Sequence, residues 1–590
     1  MTKYVNICGF IIFCIAAAAA FAAAGQDTAE KNGKAEDGPK SRLWFAAAMA
    51  VFTAAGFILR FYRLSALPYG MQQDEASIGY EAWSLLNYGV DRFLHPWPVY
   101  PITYGSGGGS PLMIYLTMLP VRIFGRTVFA VRFLPALFGS LGIPLFGILM
   151  KKARGTSAGI AAMLLLALNP WHLVFSRWAL DSNAVPFFEL TMLVLLFFGA
   201  ARKKTGFLAA GAFFGAVLLY AYGTSTIVVP VFFILTALFL LRTRRASAGQ
   251  VILCAAVFLV TALPLLIFYA VNYLGLPEIE TGVFSVQRFT AARNTFYAFD
   301  ASLPAKILQN IRWLILLAAP GIEKGELYST FVPGYAQLYR FTFPLTFAGI
   351  WCSARRVRKQ SAEDCRAILP AMMLILTGCI FVFSLFIELN INRMILLLVP
   401  LVYFQAEGAA FIIDCLRNVL KKDGKIRLLL LASACAALLV WAAAAVLFVH
   451  DYFSEEYAAA LEEYFMPGYG EAVQDAAGFA EELEKTDPAG APVPVLSTYQ
   501  RLSSPFMIAL FYTGTPPAEF AASARWRLAV EFYVADGFGR YSFGLPEGFD
   551  AAEDAEERTV YILYKDAAAE LPEEDFEISR HGNYAAVYRK

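Results

Sequence analysis

The sequence predicts a polytopic α-helical membrane protein with about 11–12 transmembrane helices and a small α/β domain at its C-terminus. Hydrophobic residues make up 58% of the 590 residues, charged residues make up only 16%, and the mean hydropathy is +0.55. Soluble domains carry ~25% charged residues, and a soluble chain could not keep so much apolar side chain away from water. The composition therefore excludes a soluble enzyme, a disordered chain and a nucleic-acid-binding protein with a basic face.

Eleven apolar segments are long enough to cross a bilayer, which takes a helix of ~20 residues. They lie at 43–61, 129–150, 155–175, 183–201, 206–222, 225–242, 249–273, 338–354, 367–388, 392–413 and 427–449. An Ala-rich segment at 5–24 is either a twelfth span or a cleaved signal peptide, since its small residues are typical of a cleavage site. The basic linker at 25–42 favours a span whose C-terminal end is cytoplasmic.

Lysine and arginine are concentrated in every second short loop, for example at 151–154 and 202–204. Because cytoplasmic loops carry the excess of basic residues, this alternation orients the transmembrane module, residues 43–450, in the cell membrane. The regions then predicted to face outside are the loops at 62–128 and 274–337 and the C-terminal domain at 451–590.

The C-terminal 140 residues have a different character, with 26 acidic and 10 basic side chains. A turn signal at Leu545–Gly548 is typical of a folded, loop-containing domain. Helical patterns and strand-like runs predict a small extracytoplasmic α/β domain. The helical patterns lie at 455–465 and 471–485, and the strand-like runs at 493–498, 528–534, 559–564 and 585–588.

The first outer loop contains a pair of acids, Asp74 and Glu75, at the start of an amphipathic segment that includes Tyr80. Acids in the first turn of a helix are favoured by its dipole, which is one explanation of the pair. The other is functional, because a carboxylate at the outer membrane face could deprotonate an acceptor hydroxyl or bind a metal ion.

Two arginines, Arg132 and Arg393, lie at the ends of apolar runs. Each could anchor its helix by extending to the membrane surface. Arginine within a membrane segment is also costly, and its planar guanidinium suits bidentate binding of phosphate. An outer-face site with acids on one side and arginines on the other would suit a phosphate-linked lipid.

The end of the third core span adds three further candidates, His172, Arg177 and Asp181. Arg177 and Asp181 are four residues apart and could pair on a helix. A lone histidine among aromatic residues is more typical of packing than of ligand binding. The topology places Asp181 on the same outer face as Asp74.

Together these segments resemble membrane glycosyltransferases of the GT-C fold, in particular the protein O-mannosyltransferase and aminoarabinose transferase group. The resemblance covers roughly residues 43–415. Ser176–Asp181 resembles the Ser-Arg-aromatic-x-Leu-Asp pattern of the mannosyltransferases, and Arg393 before Leu-Leu-Leu-Val-Pro resembles the entry to a late span. The other matching stretches are Asp74-Glu75, Pro111–Gly125 and Val131–Gly139.

The resemblance implies a polyprenyl-phosphate sugar donor used at the outer face, with transfer of a hexosyl or pentosyl group and inversion at the anomeric carbon. It implies Asp74 as the catalytic carboxylate, Glu75 as its partner and Asp181 as part of an acidic pocket. Arg132 and Arg393 would bind the donor phosphate, and His172, Arg177 and Tyr80 would line the acceptor pocket or its surroundings. A divalent cation is a candidate cofactor, because metal use varies within the fold.

The expected partners are the lipid-linked donor, membrane lipids and an acceptor that is a protein, a lipid or a cell-envelope glycan, with no nucleic acid. One alternative is a transporter or flippase of a lipid-linked glycan. Transporters tend to show repeats and polar residues at the membrane midplane, and this sequence has no visible repeat. A second alternative is an inactive assembly or sensor protein whose function lies in the C-terminal domain.

Overall fold

A computed structural model gives the architecture of nearly the whole chain. It describes residues 2–26, 38–103, 109–289, 296–319, 321–359, 364–419, 425–486, 490–529 and 532–590. Most of the predicted basic linker, residues 27–37, lies outside the described residues.

The helices up to Tyr452 form one bundle together with their connecting loops. In chain order they are α1 (Thr2–Gln26), α2 (Pro39–Phe61), α3 (Gln73–Tyr88), α4 (Pro111–Phe124), α5 (Val128–Arg154), α6 (Thr156–Ala167), α7 (Pro170–Phe175), α8 (Val185–Arg202), α9 (Thr205–Leu218), α10 (Ser225–Arg242), α11 (Ala248–Tyr273), α12 (Leu303–Ala318), α13 (Phe343–Lys359), α14 (Ile368–Ser384), α15 (Ile395–Val419) and α16 (Lys425–Tyr452). Single 3₁₀ turns lie at Asp181–Ala184, Tyr328–Thr330, Arg340–Thr342 and Cys365–Ala367.

Nine helical segments in the described part of the chain are long and apolar enough to cross a membrane, and the polytopic helical architecture is thereby confirmed. They are Val5–Ala24, Pro39–Phe61, Val128–Arg154, Asp181–Arg202, Ser225–Arg242, Ala248–Tyr273, Cys365–Ser384, Ile395–Asn418 and Arg427–Tyr452. The remaining predicted spans coincide with shorter helices. The segment at 155–175 is divided between α6 and α7, because Asn169 and Pro170 start a new helix in which the Asn169 side chain accepts the His172 N–H.

Close helix packing in the bundle depends on small residues. Among the described spans α15 is the most enclosed, because 94% of the residues in its most apolar stretch are buried inside the bundle. At Gly349 of α13 a Cβ would collide with the carbonyl of Phe404, and at Gly408 of α15 one would collide with the carbonyl of Leu345. Because lipid tails are as apolar as leucine, helices in a membrane associate through such close backbone packing.

The residues after α16 form a mixed α/β domain. Its helices are α17 (Glu455–Ala460), α18 (Glu462–Phe465), α19 (Tyr469–Thr486), α20 (Pro505–Thr513), α21 (Pro517–Ser523), α22 (Ala551–Asp554) and α23 (Lys565–Ala569). Besides a short hairpin of β1 (Ile279–Glu280) and β2 (Ser285–Val286) in the bundle loops, the strands are β3 (Val495–Ser497), β4 (Arg525–Ala529), β5 (Phe532–Phe538), β6 (Tyr541–Phe543), β7 (Val560–Tyr564), β8 (Phe576–His581) and β9 (Tyr584–Arg589).

The domain sheet has seven strands in the order β4-β5-β6-β3-β7-β9-β8. β3 runs parallel to β6 and β7, and the other neighbours are antiparallel. The run at 528–534 was predicted as one strand, but it includes parts of both β4 and β5, which pair antiparallel. Its composition is strand-like throughout and therefore gives no sign that the chain reverses direction. β7 is buried along its whole length, as expected for a strand covered on both faces.

The C-terminal domain is attached to the bundle through α3, the helix that begins at the acidic pair. α20 packs on α3, where a Cβ at Gly79 would meet the ring of Phe511, and the Tyr80 hydroxyl donates to the carbonyl of Thr515 over 2.8 Å. The amphipathic segment predicted here is therefore enclosed rather than exposed at an interface: Ile78 is buried, and Ala82 is buried in a cluster with Val121 of α4 and Ala130 of α5. The sequence could not show it, because the covering helix lies more than 400 residues away.

Candidate active site

The first turn of α3 holds the acidic pair in a capping box. The Gln72 side chain accepts the backbone N–H of Asp74, and the backbone N–H of Gln72 donates to Glu75 Oε2 over 3.2 Å. Both bonds satisfy donors that the start of a helix leaves unpaired. Asp74 is partly exposed and Glu75 is fully buried, so the two neighbouring acids have different environments.

Glu75 is bound by Arg132 of α5 in a bidentate ion pair. Arg132 Nε donates to Oε1 and Nη2 donates to Oε2, each over 2.8 Å, and both side chains are fully buried. The backbone N–H of Ala179 donates to the same Oε1 over 2.9 Å. Glu75 thus connects the start of α3 to α5 and to the segment that follows α7.

The remaining donors of Arg132 are also used within the protein. Nη1 donates to the carbonyls of Leu64 and Pro68, and Nη2 donates to the carbonyl of Gly70. A guanidinium has five N–H groups, and these bonds account for all of them. The arrangement does not favour the predicted phosphate-binding role of Arg132, because no N–H is left for a ligand, and it favours a role in fixing the loop before Asp74.

Asp181, predicted on the same outer face as Asp74, lies at the start of the 3₁₀ turn before α8. Its carboxylate accepts the backbone N–H of Ser110, at the start of α4, and is close enough to Asp74 for their charges to repel each other. Asp181 is partly exposed. Two carboxylates from different loops therefore face one region between the starts of α3, α4 and α8.

Arg177 does not pair with Asp181. The helix ends before Ser176, so residues four apart after this point no longer lie on one helical face. The buried guanidinium instead donates to carbonyls at the end of α2, including those of Leu59 and Tyr62, and to the Tyr452 hydroxyl over 3.0 Å. Arg177 is therefore placed as a C-terminal cap of α2.

His172 is buried, and its Nδ1 lies 2.8 Å from Nη2 of Arg60. Arg60 belongs to the last turn of α2 and also donates to the carbonyl of Ala167. Since an arginine has only donors, His172 Nδ1 must be the acceptor in this pair. Arg60 is not among the site residues predicted from sequence, although a cation inside the apolar segment at 43–61 was a signal for it.

The last predicted site residue, Arg393, lies in the turn between α14 and α15. Its Nη1 donates to the carbonyl and to the carboxylate of Glu388, and its side chain is 11% exposed. Unlike Arg132, it has donors in Nε and Nη2 beyond these bonds. Glu326 lies beside this turn and accepts the backbone N–H of Ile391, and burial raises the pKa of Glu326 to about 7.

A second buried ion pair on α3 was also missed from sequence. Glu81 is bonded by Arg92, which also donates to Ser77 and contacts the sulfur of Met507 in α20. Burial raises the pKa of Glu81 to about 6, although Arg92 favours its charged form. Glu81 lies two helical turns after Asp74 on α3, where Arg92 fastens the helix to Met507 of the C-terminal domain.

A divalent cation would find two carboxylate ligands here, in Asp74 and Asp181. Among the described residues no group of three or more His, Cys, Asp and Glu side chains is arranged to bind a metal ion. The described residues therefore do not form a complete metal site.

Comparisons with known proteins place the fold. Residues 108–268 match the family model described as dolichyl-phosphate-mannose-protein mannosyltransferase. A search of curated proteins found no match. The crystal structure of ArnT from Cupriavidus metallidurans in the apo state is similar over 93% of this chain and 98% of its own, with 14% identity and a TM-score of 0.50. At this identity the likeness shows a shared fold over nearly the whole of both chains.

Two further structures show weaker likeness. ArnT from Cupriavidus metallidurans bound to undecaprenyl phosphate matches with 15% identity, covers 92% of this chain and 97% of its own, and has a TM-score of 0.48. The oligosaccharyltransferase AglB from Archaeoglobus fulgidus, in complex with an inhibitory peptide and a dolichol-phosphate, matches with 14% identity over 80% of this chain and 64% of its own, with a TM-score of 0.45.

Proposed function

We propose that this chain, which has the GT-C fold of membrane glycosyltransferases of the mannosyltransferase and ArnT type, transfers a sugar from a polyprenyl-phosphate donor to a hydroxyl acceptor at the outer face of the membrane. The donor class follows the family description matched by residues 108–268, which names dolichyl-phosphate mannose. The transferred group is a hexosyl or pentosyl unit. Asp74 is the proposed general base.

The observation that carries the proposal is the contrast between Asp74 and its neighbour. Glu75 accepts hydrogen bonds from Arg132, Ala179 and Gln72 and is buried, so it is committed to holding the loop. Asp74 is partly exposed within range of the Asp181 charge, and the Gln72 side chain bonds both its backbone N–H and its Oδ2. A base must be fixed in position and still reach its substrate, and the helix cap together with the partial exposure of Asp74 supports this role.

The proposed reaction is a single displacement. Asp74 accepts the proton of the acceptor hydroxyl as its oxygen attacks the anomeric carbon of the sugar. The bond between that carbon and the phosphate oxygen breaks on the opposite face, and polyprenyl phosphate leaves with the bonding electrons. Transfer from one face to the other inverts the anomeric centre.

The leaving phosphate needs balancing positive charge. In this proposal Arg393 supplies it, because Nε and Nη2 remain for a ligand while Glu388 orients the guanidinium through Nη1. An arginine can bind phosphate through two parallel N–H groups. A charge held in place within a site of low dielectric lowers the barrier more than one in water.

Replacing Asp74 by Asn tests the assignment. In nanodiscs supplied with a radiolabelled polyprenyl-phosphate sugar, D74N should lower kcat by about 10²–10⁴-fold, the range for loss of a general base, with little change in the KM for the donor. Glu280→Gln, an exposed acid of the second long loop, is the matched control and should keep wild-type turnover.

Full sugar transfer by D74N would remove Asp74 from the role of base. If wild-type protein moves the lipid-linked sugar across proteoliposomes without transferring it to any acceptor or to water, the glycosyltransferase proposal itself fails. The transporter interpretation would then replace it.

A further inference from the structure

A second group of polar and aromatic side chains meets where the C-terminal domain touches the first loop. Tyr69 comes from the loop before α3, Glu471 from the first turn of α19 and Tyr512 from the end of α20. Tyr69 is 41% exposed, and the other two are partly buried. None of the three takes part in the bonds that hold Glu75 and Arg132.

Glycines bring the three segments into close contact. A Cβ at Gly582, in the turn between β8 and β9, would lie 3.0 Å from the ring of Tyr69, and one at Gly470 would collide with the ring of Tyr512. Gly70, whose φ of +85° suits glycine, lies so close to Phe465 that a side chain there would collide with its carbonyl. The lack of a side chain at Gly582 and Gly470 therefore lets the rings of Tyr69 and Tyr512 lie close to the backbone of the C-terminal domain.

Glu471 provides the unusual feature of this group. Its Oε2 is buried and accepts no hydrogen bond from any residue that the structure describes. The Glu471 charge acts on both tyrosines, and burial together with this charge raises the pKa of Tyr69. The Glu471 side chain is partly exposed, and a carboxylate oxygen that lacks a donor within the protein is unfavourable, so a donor on a bound molecule would be favoured there.

The group lies close to the proposed chemistry. Tyr69 precedes Asp74 by five positions, a length of chain that spans at most about 18 Å. Tyr512 also lies within range of the charges of Glu75 and Arg132. A molecule bound between the tyrosines would therefore be within reach of Asp74 if it were two or three sugar rings long.

We propose that Tyr69, Glu471 and Tyr512 form a subsite for the acceptor, and that the acceptor end bound there is an uncharged sugar. Flat aromatic faces suit the apolar faces of sugar rings, and a carboxylate accepts hydrogen bonds from neighbouring hydroxyls. An anionic group would be repelled by Glu471 and by the acidic domain that carries it, with 26 acidic and 10 basic residues. The inference rests on the proposed function, whose acceptor it narrows to a glycan.

The test measures sugar binding and donor turnover separately. Saturation-transfer NMR on the full-length protein in nanodiscs, with neutral disaccharides (mannobiose, galactobiose and chitobiose), should show at least one bound by the wild type. Glu471→Gln, which removes the charge and keeps the shape, should weaken it by about tenfold or more, the effect of losing one charge-assisted hydrogen bond. Tyr69→Ala should weaken it similarly, and a disaccharide containing a uronic acid should bind less well than its neutral counterpart.

Glu482→Gln is the matched control, because Glu482 is an exposed acid of the same helix. It should bind the disaccharide as the wild type does. Release of sugar from the donor into water, measured without an acceptor, should change by less than about twofold in E482Q, since this residue lies outside both the subsite and the turn that carries Asp74.

Two results would overturn the subsite: no neutral disaccharide bound by the wild type, or equal binding by wild type and E471Q. Failure of the proposed function gives a different pattern, in which the wild type releases no sugar from the donor whatever the disaccharide result. A peptide that competes with a bound disaccharide only in wild type would argue for a protein acceptor and against a glycan.

Discussion

At the scale of single residues, charged side chains that look alike in the sequence have different hydrogen-bond partners and different exposure in the site. Asp74 and Glu75 are adjacent acids, and Arg132 and Arg393 are both arginines at the ends of apolar runs. Their difference lies in partners that come from distant segments, such as the carbonyls of Leu64 and Pro68, which take the donors of Arg132. The sequence predicts that these residues belong near one site, but it does not show that the donors of Arg132 are all used within the protein while Arg393 keeps Nε and Nη2 beyond its bonds to Glu388.

This separation predicts how variants of the Glu75–Arg132 pair will behave. Arg132→Lys keeps the charge but cannot form the bidentate bond, and Glu75→Gln leaves a buried guanidinium without its counter-charge. Breaking a buried pair in this way costs about 3–5 kcal/mol. Both variants should therefore unfold at lower temperature and show reduced kcat, and the double variant should be less unstable than the sum of the two.

Thermal unfolding in detergent and steady-state kinetics for the donor measure the two effects. Glu81→Gln provides a comparison, because it breaks another buried ion pair of α3 that lies away from Asp74. A phosphate-binding role for Arg132 predicts the opposite pattern. R132K would then raise the KM for the donor, keep the unfolding temperature of the wild type and show no coupling to E75Q.

At the scale of elements, hydropathy and the spacing of apolar residues predicted most of the spans, but several elements begin or end at other residues than predicted. The bundle helices coincide with the predicted apolar segments because each must satisfy its own backbone in lipid. The segment at 155–175 shows where this fails, since a capping Asn-Pro pair inside an apolar run divides it into two helices. The prediction of one strand at 528–534 is wrong for a similar reason, because the composition of this run does not show that the chain turns back between β4 and β5.

The Ala-rich segment that the sequence left open between signal peptide and span is a packed helix in the structure. α1 lies against α13, α15 and α16, with the rings of Phe21 and Phe411 5.1 Å apart and the thiol of Cys415 directed at the carbonyl of Ala20. Ala16 and Ala20 are fully buried, so the small residues serve close packing. We expect α1 to remain part of the protein as a span.

Enlarging one of these alanines tests the packing. Ala16→Leu should destabilise the protein by about 1–3 kcal/mol through overpacking, seen as a lower unfolding temperature. Ile15→Leu, one position away on the 41% exposed, lipid-facing side, should have almost no effect. Equal stability of A16L and the wild type, or a mature chain that lacks residues 5–24 by intact mass, would contradict the assignment of α1 as a span.

At the scale of the whole molecule, the C-terminal domain and the proposed site must share one side of the membrane. The ring of Phe465 lies 5.6 Å from the guanidinium of Arg132 and meets Trp178 edge-on, so the domain covers the buried pair behind Asp74. The positive-inside rule separately predicts that this side is outside. The contact shows only that the domain and the proposed site share a side, and the charge distribution predicts only which side is outside. Together they predict that sugar transfer takes place outside the cell.

Labelling of single introduced cysteines tests this orientation in intact cells. Glu553→Cys lies on the exposed surface of the C-terminal domain, and Lys359→Cys lies at the exposed basic end of α13. A membrane-impermeant maleimide should label E553C in intact cells and K359C only after permeabilisation, against the background of the eight native cysteines in the wild type. Because Phe465 and α20 fix the domain to α3, labelling of K359C but not E553C in intact cells would place Asp74 in the cytoplasm. A cytoplasmic Asp74 would exclude a donor used at the outer face, whatever the activity of the purified protein.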